Sequence, residues 1–122
     1  MIENKVFSKK PYQRPLSNDF IHAVKLNQME KVTILLEKNR YLVFDFDFYN
    51  MTGLHWACKK GLVEMAELLI KNHADVDAVD ILHRTPLYLA IQGEHLTLVE
   101  VFQYLKLDSF KEQSISLVDL LH

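Results

Sequence analysis

The sequence predicts an all-α fold, a solenoid of stacked helix-turn-helix units that are separated by finger loops. Apolar residues recur at spacings of three and four in pairs of short segments, which is the period of an α-helix. The segments themselves return after 33 residues at five matched positions: Thr52 and Thr85, Leu54 and Leu87, Ala57 and Ala90, Val63 and Leu96, Glu67 and Glu100. Because two short helices cannot bury their apolar faces alone, this period indicates units that stack on one another.

The clearest unit covers residues 47–79. Thr52 is predicted to cap its first helix, because the hydroxyl can accept hydrogen bonds from backbone N–H groups that have no partner within the helix. Gly61 is predicted to end that helix, since glycine adopts the left-handed conformation without steric cost. Both helices carry apolar stripes at helical spacing, formed by Leu54, Ala57 and Cys58 in the first and by Val63, Ala66, Leu69 and Ile70 in the second.

The stretch TPLYLA at residues 85–90, with the period of 33, is similar to the repeat signature of the ankyrin family. The related stretch TGLHWA at residues 52–57 has Gly53 in place of the proline, and Tyr88 stands where the signature has histidine. The resemblance covers about residues 17–105 and implies three units, at about 17–46, 47–79 and 80–105. It also implies that His55 bonds back to Thr52 and bridges neighbouring loops, which Tyr88 cannot do in the same way.

The first unit is irregular. Asn18 takes the position of the threonine cap, and Asn27 and Asn39 stand where the family prefers glycine, which asparagine replaces better than most residues. Residues 41–50 then read YLVFDFDFYN, an alternation that normally signals a half-buried strand. We expect an extended finger here instead, with the carboxylates of Asp45 and Asp47 solvated.

The third unit is irregular too, because Gly93 comes one residue early and Glu94 takes the family's glycine position. Its second helix is apolar on more than one side, so a covering element is expected: either a C-terminal capping segment at 106–122, helical around 114–121, or a partner protein. Helices are predicted near 18–26, 28–38, 53–60, 62–71, 86–93 and 95–105. The predicted buried residues between units are Leu54, Ala57, Leu69, Leu87 and Ala90.

Composition narrows the class of protein. At 122 residues the chain is one domain, and an apolar content of 49% excludes general disorder. A net charge of −2 gives no basis for binding nucleic acid or anionic membranes. With one cysteine, no transmembrane-length apolar run and no secretory h-region, we expect a cytoplasmic protein, with the nucleus or a cytoskeletal assembly as alternatives.

Residues 1–16 are predicted to form an extended arm, since Pro11 and Pro15 disfavour helix. Four basic residues face one acidic residue in this arm: Lys5, Lys9, Lys10 and Arg14 against Glu3. The arm is either a disordered tail or a peptide that lies along a partner. In the second case its anchors would be Phe7, Tyr12 and Leu16.

No catalytic or metal-binding motif emerges, and no cofactor or small-molecule substrate is expected. Of the six histidines, His55 has the role implied by the resemblance, while His73 and His83 occupy turn positions where the family has glycine. Cys58 lies on an apolar helix face without a base at motif spacing, which indicates a packed thiol rather than a nucleophile. Three glycines provide no phosphate-binding loop.

The resemblance implies that function resides in a concave face formed by the finger tips and first helices. The candidate protein-binding residues at these positions are Phe48, Tyr49, Met51, Lys59 and Lys60 in the second unit and Ile81, Leu82, Arg84 and Gln92 in the third. Aromatic residues, Met and Arg are enriched at interface centres. The alternative for Phe48 is that the finger folds back and buries it.

The sequence therefore predicts a non-enzymatic protein–protein interaction module, built as a small subunit into a larger assembly. Exposed apolar tips, an apolar last helix and the arm all favour this prediction. Two alternatives remain open at this point. One is a soluble regulator or adaptor that docks reversibly on an enzyme, and the weaker one is a metal-binding or catalytic protein.

Overall fold

A computed structural model describes residues 17–105 of the chain. In this range the fold is helical, with one isolated antiparallel bridge between Phe46 and Thr52. The α-helices are α1 (Ser17–Lys25), α2 (Met29–Lys38), α3 (Gly53–Lys60), α4 (Val63–Lys71), α5 (Pro86–Gln92) and α6 (residues 96–105), and a 3-10 helix covers Arg40–Phe44. Each described helix bound lies within one residue of its prediction.

The predicted helix ends are largely confirmed. The Thr52 hydroxyl accepts from the backbone N–H of His55, and Gly61 ends α3 in the left-handed conformation with φ 75°. At the matching positions of the other units, Asn27 and Glu94 are left-handed as well, with φ 58° and 59°. These positions therefore share one turn, although only the middle one has kept glycine.

Two asparagine predictions in the first unit are wrong. Asn39 has φ −152°, which is extended backbone, and its side chain accepts from the N–H of Tyr41 to start the 3-10 helix. Asn18 lies inside α1 rather than before it. The 3-10 helix also replaces the first part of the predicted extended finger, because this tight turn carries both Leu42 and Val43 into the core.

The helix pairs stack in chain order. α3 packs between α1 and α5, and each of the first two units folds its second helix against its first, α2 on α1 and α4 on α3. Gly53, which replaces the signature's proline, lies where the units are closest. A Cβ at this position would sit 3.3 Å from Phe20 Cε2 and 3.4 Å from Val24 Cγ2, so a larger residue would push against the first unit.

The core confirms most of the buried set predicted from the period. Leu54, Ala57, Leu69 and Ala90 are buried, but Leu87 is only half-buried and Leu89 is buried instead. Leu87 packs against the edge of the core, whereas Leu89 on the same helix is buried within it.

The second helix of the third unit divides its apolar residues between core and solvent. Leu98 and Phe102 of α6 are buried, whereas Leu96 and Tyr104 are 70% and 66% exposed. The predicted cap at 106–122 and the predicted arm at 1–16 lie outside the described residues. None of the described helices is both long and apolar enough to cross a membrane.

Candidate protein-binding surface

The two finger tips are built on matching aspartates. Asp47 Oδ1 accepts from the backbone N–H of Tyr49 and of Met51, both at 2.9 Å. One period later, Asp80 Oδ1 accepts from the N–H of Leu82 and of Arg84, at 2.9 and 2.8 Å. Each carboxylate therefore closes its own tip, as an aspartate does in an Asx turn. The predicted solvation of Asp47 is wrong for this reason.

The second oxygen of each aspartate fixes a neighbouring side chain. Asp47 Oδ2 accepts from the indole N–H of Trp56 at 2.8 Å, and Asp80 Oδ2 pairs with Arg84 Nε at 2.8 Å. Burial acts to raise the pKa of Asp80, but the hydrogen bonds from Arg84 and Leu82 outweigh burial and lower it. The neighbouring Asp45 was also predicted to be solvated, yet it is buried at 1% exposure.

Left-handed residues complete both tips. Asn50 and His83 have φ 59° and 63°, so each adopts the left-handed conformation that glycine takes most readily, as expected for His83 from its place in the turn. The two tips are joined directly, since the Ile81 N–H donates to the Tyr49 carbonyl at 2.8 Å. The fingers thus hold each other in place by backbone hydrogen bonds.

Four of the predicted site residues form one exposed apolar patch on these joined tips, which we call the finger strip. Its members are Phe48, Tyr49, Ile81 and Leu82, with exposures of 97%, 61%, 57% and 65%. The alternative in which the finger buries Phe48 is therefore wrong. The strip presents two aromatic and two aliphatic side chains on hydrogen-bonded backbone.

The other predicted site residues differ in their availability. Met51 is buried at 2% exposure, so its expected place at an open tip is wrong. Arg84 is half-buried and paired with Asp80. Lys59 and Gln92 are exposed on α3 and α5, and Lys60 is exposed while its ammonium donates to the Lys25 carbonyl at 2.6 Å.

His55 connects the second and third units as the resemblance implied. Its Nδ1 accepts from the Thr52 backbone N–H at 3.1 Å, so the proton lies on Nε2, which donates to the Arg84 carbonyl at 2.8 Å. Burial lowers the pKa of His55, although the bond to Arg84 acts to raise it. The neutral imidazole ring of His55 therefore holds the finger of the third unit against α3, the first helix of the second unit.

Two functional candidates escaped the sequence analysis: Lys25 and Trp56. Lys25 Nζ lies 4.2 Å from the centroid of the Trp56 ring, and Lys59 Nζ lies 5.5 Å from the same centroid. The spacing in the sequence could have indicated this cluster. Lys25 and Lys59 are 34 residues apart, which is also the distance between Asn18 and Thr52, the matching positions of the first two units. Stacked units place such residues side by side.

The buried Cys58 thiol takes no part in this surface. Desolvation raises its pKa to about 12, so the thiol stays protonated and unreactive near neutral pH. Within residues 17–105, no three His, Cys, Asp or Glu side chains converge to hold a metal ion.

Comparison with known proteins decides the family. A family model of ankyrin repeats matches residues 20–113 in three copies. The chain belongs to the ankyrin-repeat family. Members of this family serve as protein-interaction modules, and the unit period, the threonine caps and the histidine bridge described above are the local features of that fold.

Two curated proteins match the chain at a distance. The chain is 32% identical over 64 residues to an acyl-CoA-binding domain-containing protein 6 homolog of Dictyostelium discoideum. It is 30% identical over 81 residues to the palmitoyltransferase ZDHHC17 of Danio rerio. These matches take in 52% and 66% of this chain, but only 22% and 13% of the two relatives. The chain spans less than a quarter of either relative's length.

Proposed function

We propose that this ankyrin-repeat chain is a non-enzymatic subunit of a larger protein assembly and binds its partner protein through the finger strip. The observation that carries the proposal is the exposure of four large apolar side chains on two joined tips. Water solvates such a patch poorly, and contiguous exposed apolar surface commonly marks a protein interaction site. Neither a small-molecule substrate nor nucleic acid is part of this proposal.

The rigidity of the tips supports binding as well as exposure does. Tyr49 and Leu82 sit on backbone that is held by Asp47 and Asp80, so little conformational freedom remains to be lost on association. Aromatic side chains on such a base bury much area at low entropic cost. Lys59 and Gln92 extend the proposed interface onto the first helices, where a rim charge mainly affects the association rate.

The experiment is a co-purification of the tagged chain from its native cell, followed by mass spectrometry of what it captures. The test variant is Tyr49→Ala with Leu82→Ala, which truncates one side chain on each tip. It should weaken binding by about 2 kcal/mol or more, roughly thirtyfold, if the two residues are interface anchors. Thermal melting should change little, because exposed tip side chains do not hold the helices together.

A matched control removes the same kind of surface elsewhere. Ile34 on α2 and Leu96 on α6 are 51% and 70% exposed, so Ile34→Ala with Leu96→Ala also truncates two exposed apolar side chains. This control should retain the partner. Full retention of the partner by a well-folded Tyr49→Ala, Leu82→Ala protein would overturn the proposal.

Whether the chain is a permanent subunit is tested by its behaviour alone. A permanent subunit should aggregate or stay loosely folded when it is expressed singly, because part of its apolar surface is meant to be covered. A cytoplasmic regulator that docks reversibly should instead elute as a stable monomer from a sizing column. A monomer with a cooperative thermal transition would replace the subunit proposal with the regulator, and would leave the finger strip as the binding site.

A further inference from the structure

The lysine–tryptophan cluster, formed by Lys25, Trp56 and Lys59, is continuous with the finger strip. Asp47 links the two, because one of its oxygens closes the tip that carries Tyr49 while the other holds the Trp56 indole. A partner segment that lies along the finger strip and continues onto α3 therefore meets the two ammonium groups next. We infer that the cluster binds carboxylates of the partner, and that the partner segment is an extended acidic peptide with aromatic or aliphatic anchors. This inference rests on the proposed function of the finger strip.

The two lysines carry positive charge that no carboxylate within residues 17–105 neutralises. The side-chain ion pairs within residues 17–105 join Lys31 to Asp19 and Arg84 to Asp80. Asp47, the carboxylate in contact with Trp56, already accepts three N–H groups. Lys25 and Lys59 lie over the Trp56 ring instead, where the π face attracts a cation but leaves its N–H donors available.

Charge is also divided between the two layers of helices. The first helices, α1, α3 and α5, hold three lysines and one aspartate: Lys25, Lys59, Lys60 and Asp19. The second helices, α2, α4 and α6, hold five glutamates and three lysines: Glu30, Glu37, Glu64, Glu67 and Glu100 with Lys31, Lys38 and Lys71. The first helices therefore carry a net charge of +2 and the second helices a net charge of −2.

The position of the ring gives the cluster geometric specificity. Trp56 is half-buried and fixed at its N–H edge, so Lys25 is guided to one place rather than moving freely in water. Lys60 supports the same arrangement, since its ammonium donates to the Lys25 carbonyl. Ordered ammonium groups lose less entropy when they pair with a carboxylate than free surface lysines do.

Other occupants fit less well. The segment at residues 1–16 carries four basic residues and one acidic residue, so the lysines would repel it. A phosphate group is recognised best by an arginine fork or by free backbone N–H groups at a helix N-terminus. Here the cluster contains no arginine, and the Thr52 and His55 cap engages the N–H of His55 in the first turn of α3.

The test is a selection of displayed random peptides of about twelve residues, long enough to span about 40 Å when extended. Peptides that bind the immobilised full chain should combine several Asp or Glu residues with an aromatic or aliphatic residue. Their affinity should then be measured with the wild type and with Lys25→Gln, Lys59→Gln. We expect a loss of roughly fivefold to tenfold, as for two partly exposed charge pairs, and a similar loss as salt rises from about 50 to about 300 mM.

A matched control is Lys38→Gln with Lys71→Gln, which removes the same charge from exposed lysines of the second helices. This control should bind the selected peptides like the wild type, and far-ultraviolet circular dichroism should be the same for all three proteins. Equal loss in both double variants would mean that net charge alone acts, and would overturn the inference.

The remaining outcomes separate the inference from the function on which it rests. Peptides without acidic residues that require Tyr49 and Leu82 but not the lysines would overturn the acidic partner and leave the finger strip intact. Acidic peptides that bind Tyr49→Ala, Leu82→Ala at full affinity would overturn the finger strip and leave the cluster as a separate carboxylate site. Tighter binding of a phosphoserine version of a selected peptide, or of a single-stranded oligonucleotide, would overturn the acidic-peptide assignment.

Discussion

The second and third units share a local design but differ in their surroundings. Each has an aspartate that closes its tip, a left-handed residue in the tip turn and a threonine that caps its first helix. In the second unit, the first helix α3 packs on both α1 and α5. Leu54 on α3 is 1% exposed, while its counterpart Leu87 on α5 is only half-buried. Equivalent residues of the two units thus differ in burial.

The histidine position differs in the same way. His55 is buried and joins Thr52 to the Arg84 carbonyl of the next finger, whereas Tyr88 is 49% exposed and only its backbone N–H reaches the Thr85 hydroxyl. The bridge thus ties the second unit to the finger of the third unit. We therefore expect the second unit to contribute more to stability than the third, residue for residue.

The largest difference should appear for the paired leucines. Leu54→Ala should lower the free energy of unfolding by an amount in the upper half of the ~2–5 kcal/mol range for buried leucine, and Leu87→Ala by about half as much. The reason is that a cavity at Leu54 is enclosed by core on all sides, while Leu87 borders solvent. Urea unfolding of both variants measures the difference. Equal losses would contradict the comparison.

Loss of the His55 hydrogen-bond bridge should cause the next largest loss of stability. His55→Ala leaves the Thr52 N–H and the Arg84 carbonyl without their partner, and should cost about 2–4 kcal/mol because each buried unpaired group costs ~1–3 kcal/mol. Tyr88→Ala removes a half-exposed ring and should cost less than about 0.5 kcal/mol. Thermal melts of the two variants provide the check. A Tyr88→Ala loss as large as that of His55→Ala would remove the distinction between the units.

Substitutions of the two tip aspartates, Asp47 and Asp80, should differ less in the stability that they remove. Asp80→Asn keeps an oxygen for the backbone donors but leaves the half-buried Arg84 guanidinium without its carboxylate, a loss of about 1–3 kcal/mol. Asp47→Asn gives up the bond from the uncharged Trp56 indole and leaves no charged partner behind, so the loss should be about 1 kcal/mol. Denaturant midpoints of the two variants should follow this order, and the reverse order would contradict it.

The smallest effect is a dependence of stability on pH. Folding lowers the pKa of His55. As the pH falls below the ordinary histidine pKa of 6.5, this residue therefore takes up a proton in the unfolded chain before it does so in the folded chain. The contribution of His55 to the free energy of unfolding is therefore complete above pH 6.5, and it is lost as the pH falls through the pKa of the folded state. The pKa of Asp80 is lowered as well, so its contribution to stability is also lost as the pH falls below the ordinary aspartate pKa of 3.8.

The measurement compares urea midpoints at about pH 7.5 and about pH 5.5, on either side of the ordinary histidine range. The wild type should lose stability at the lower pH, and His55→Gln, which cannot titrate, should lose less. If the variant loses as much as the wild type, other groups account for the pH dependence.

Helix positions followed well from the sequence because the period of 33 and the end signals act over a few residues. Thr52 and Gly61 begin and end α3 through contacts within one turn, and both were predicted correctly. The tip positions of the four finger-strip residues were also predicted, because they follow from the same period. The wrong expectations for Asn39, Asp45 and Met51 fall on the longer first finger, where the chain departs from the repeat.

The carboxylate bonds were harder to predict because they join residues that no periodic pattern relates. Trp56 reaches Asp47 across nine residues, and Lys25 meets Trp56 only when the first unit stacks on the second. The alternation of residues 44–48 resembles a strand pattern and gave no sign that Asp45 would be buried while Phe48 is almost fully exposed.

The sequence by itself determined the repeat, the helices, their ends and the family, since hydrophobic period and capping are local properties of the chain. Only the tertiary structure decided which equivalent residues are buried, which aspartate partners with which donor, and which lysines lie over the Trp56 ring. The physical reason is that burial and pairing depend on the distance between units that are far apart in the chain, and stacking alone sets that distance.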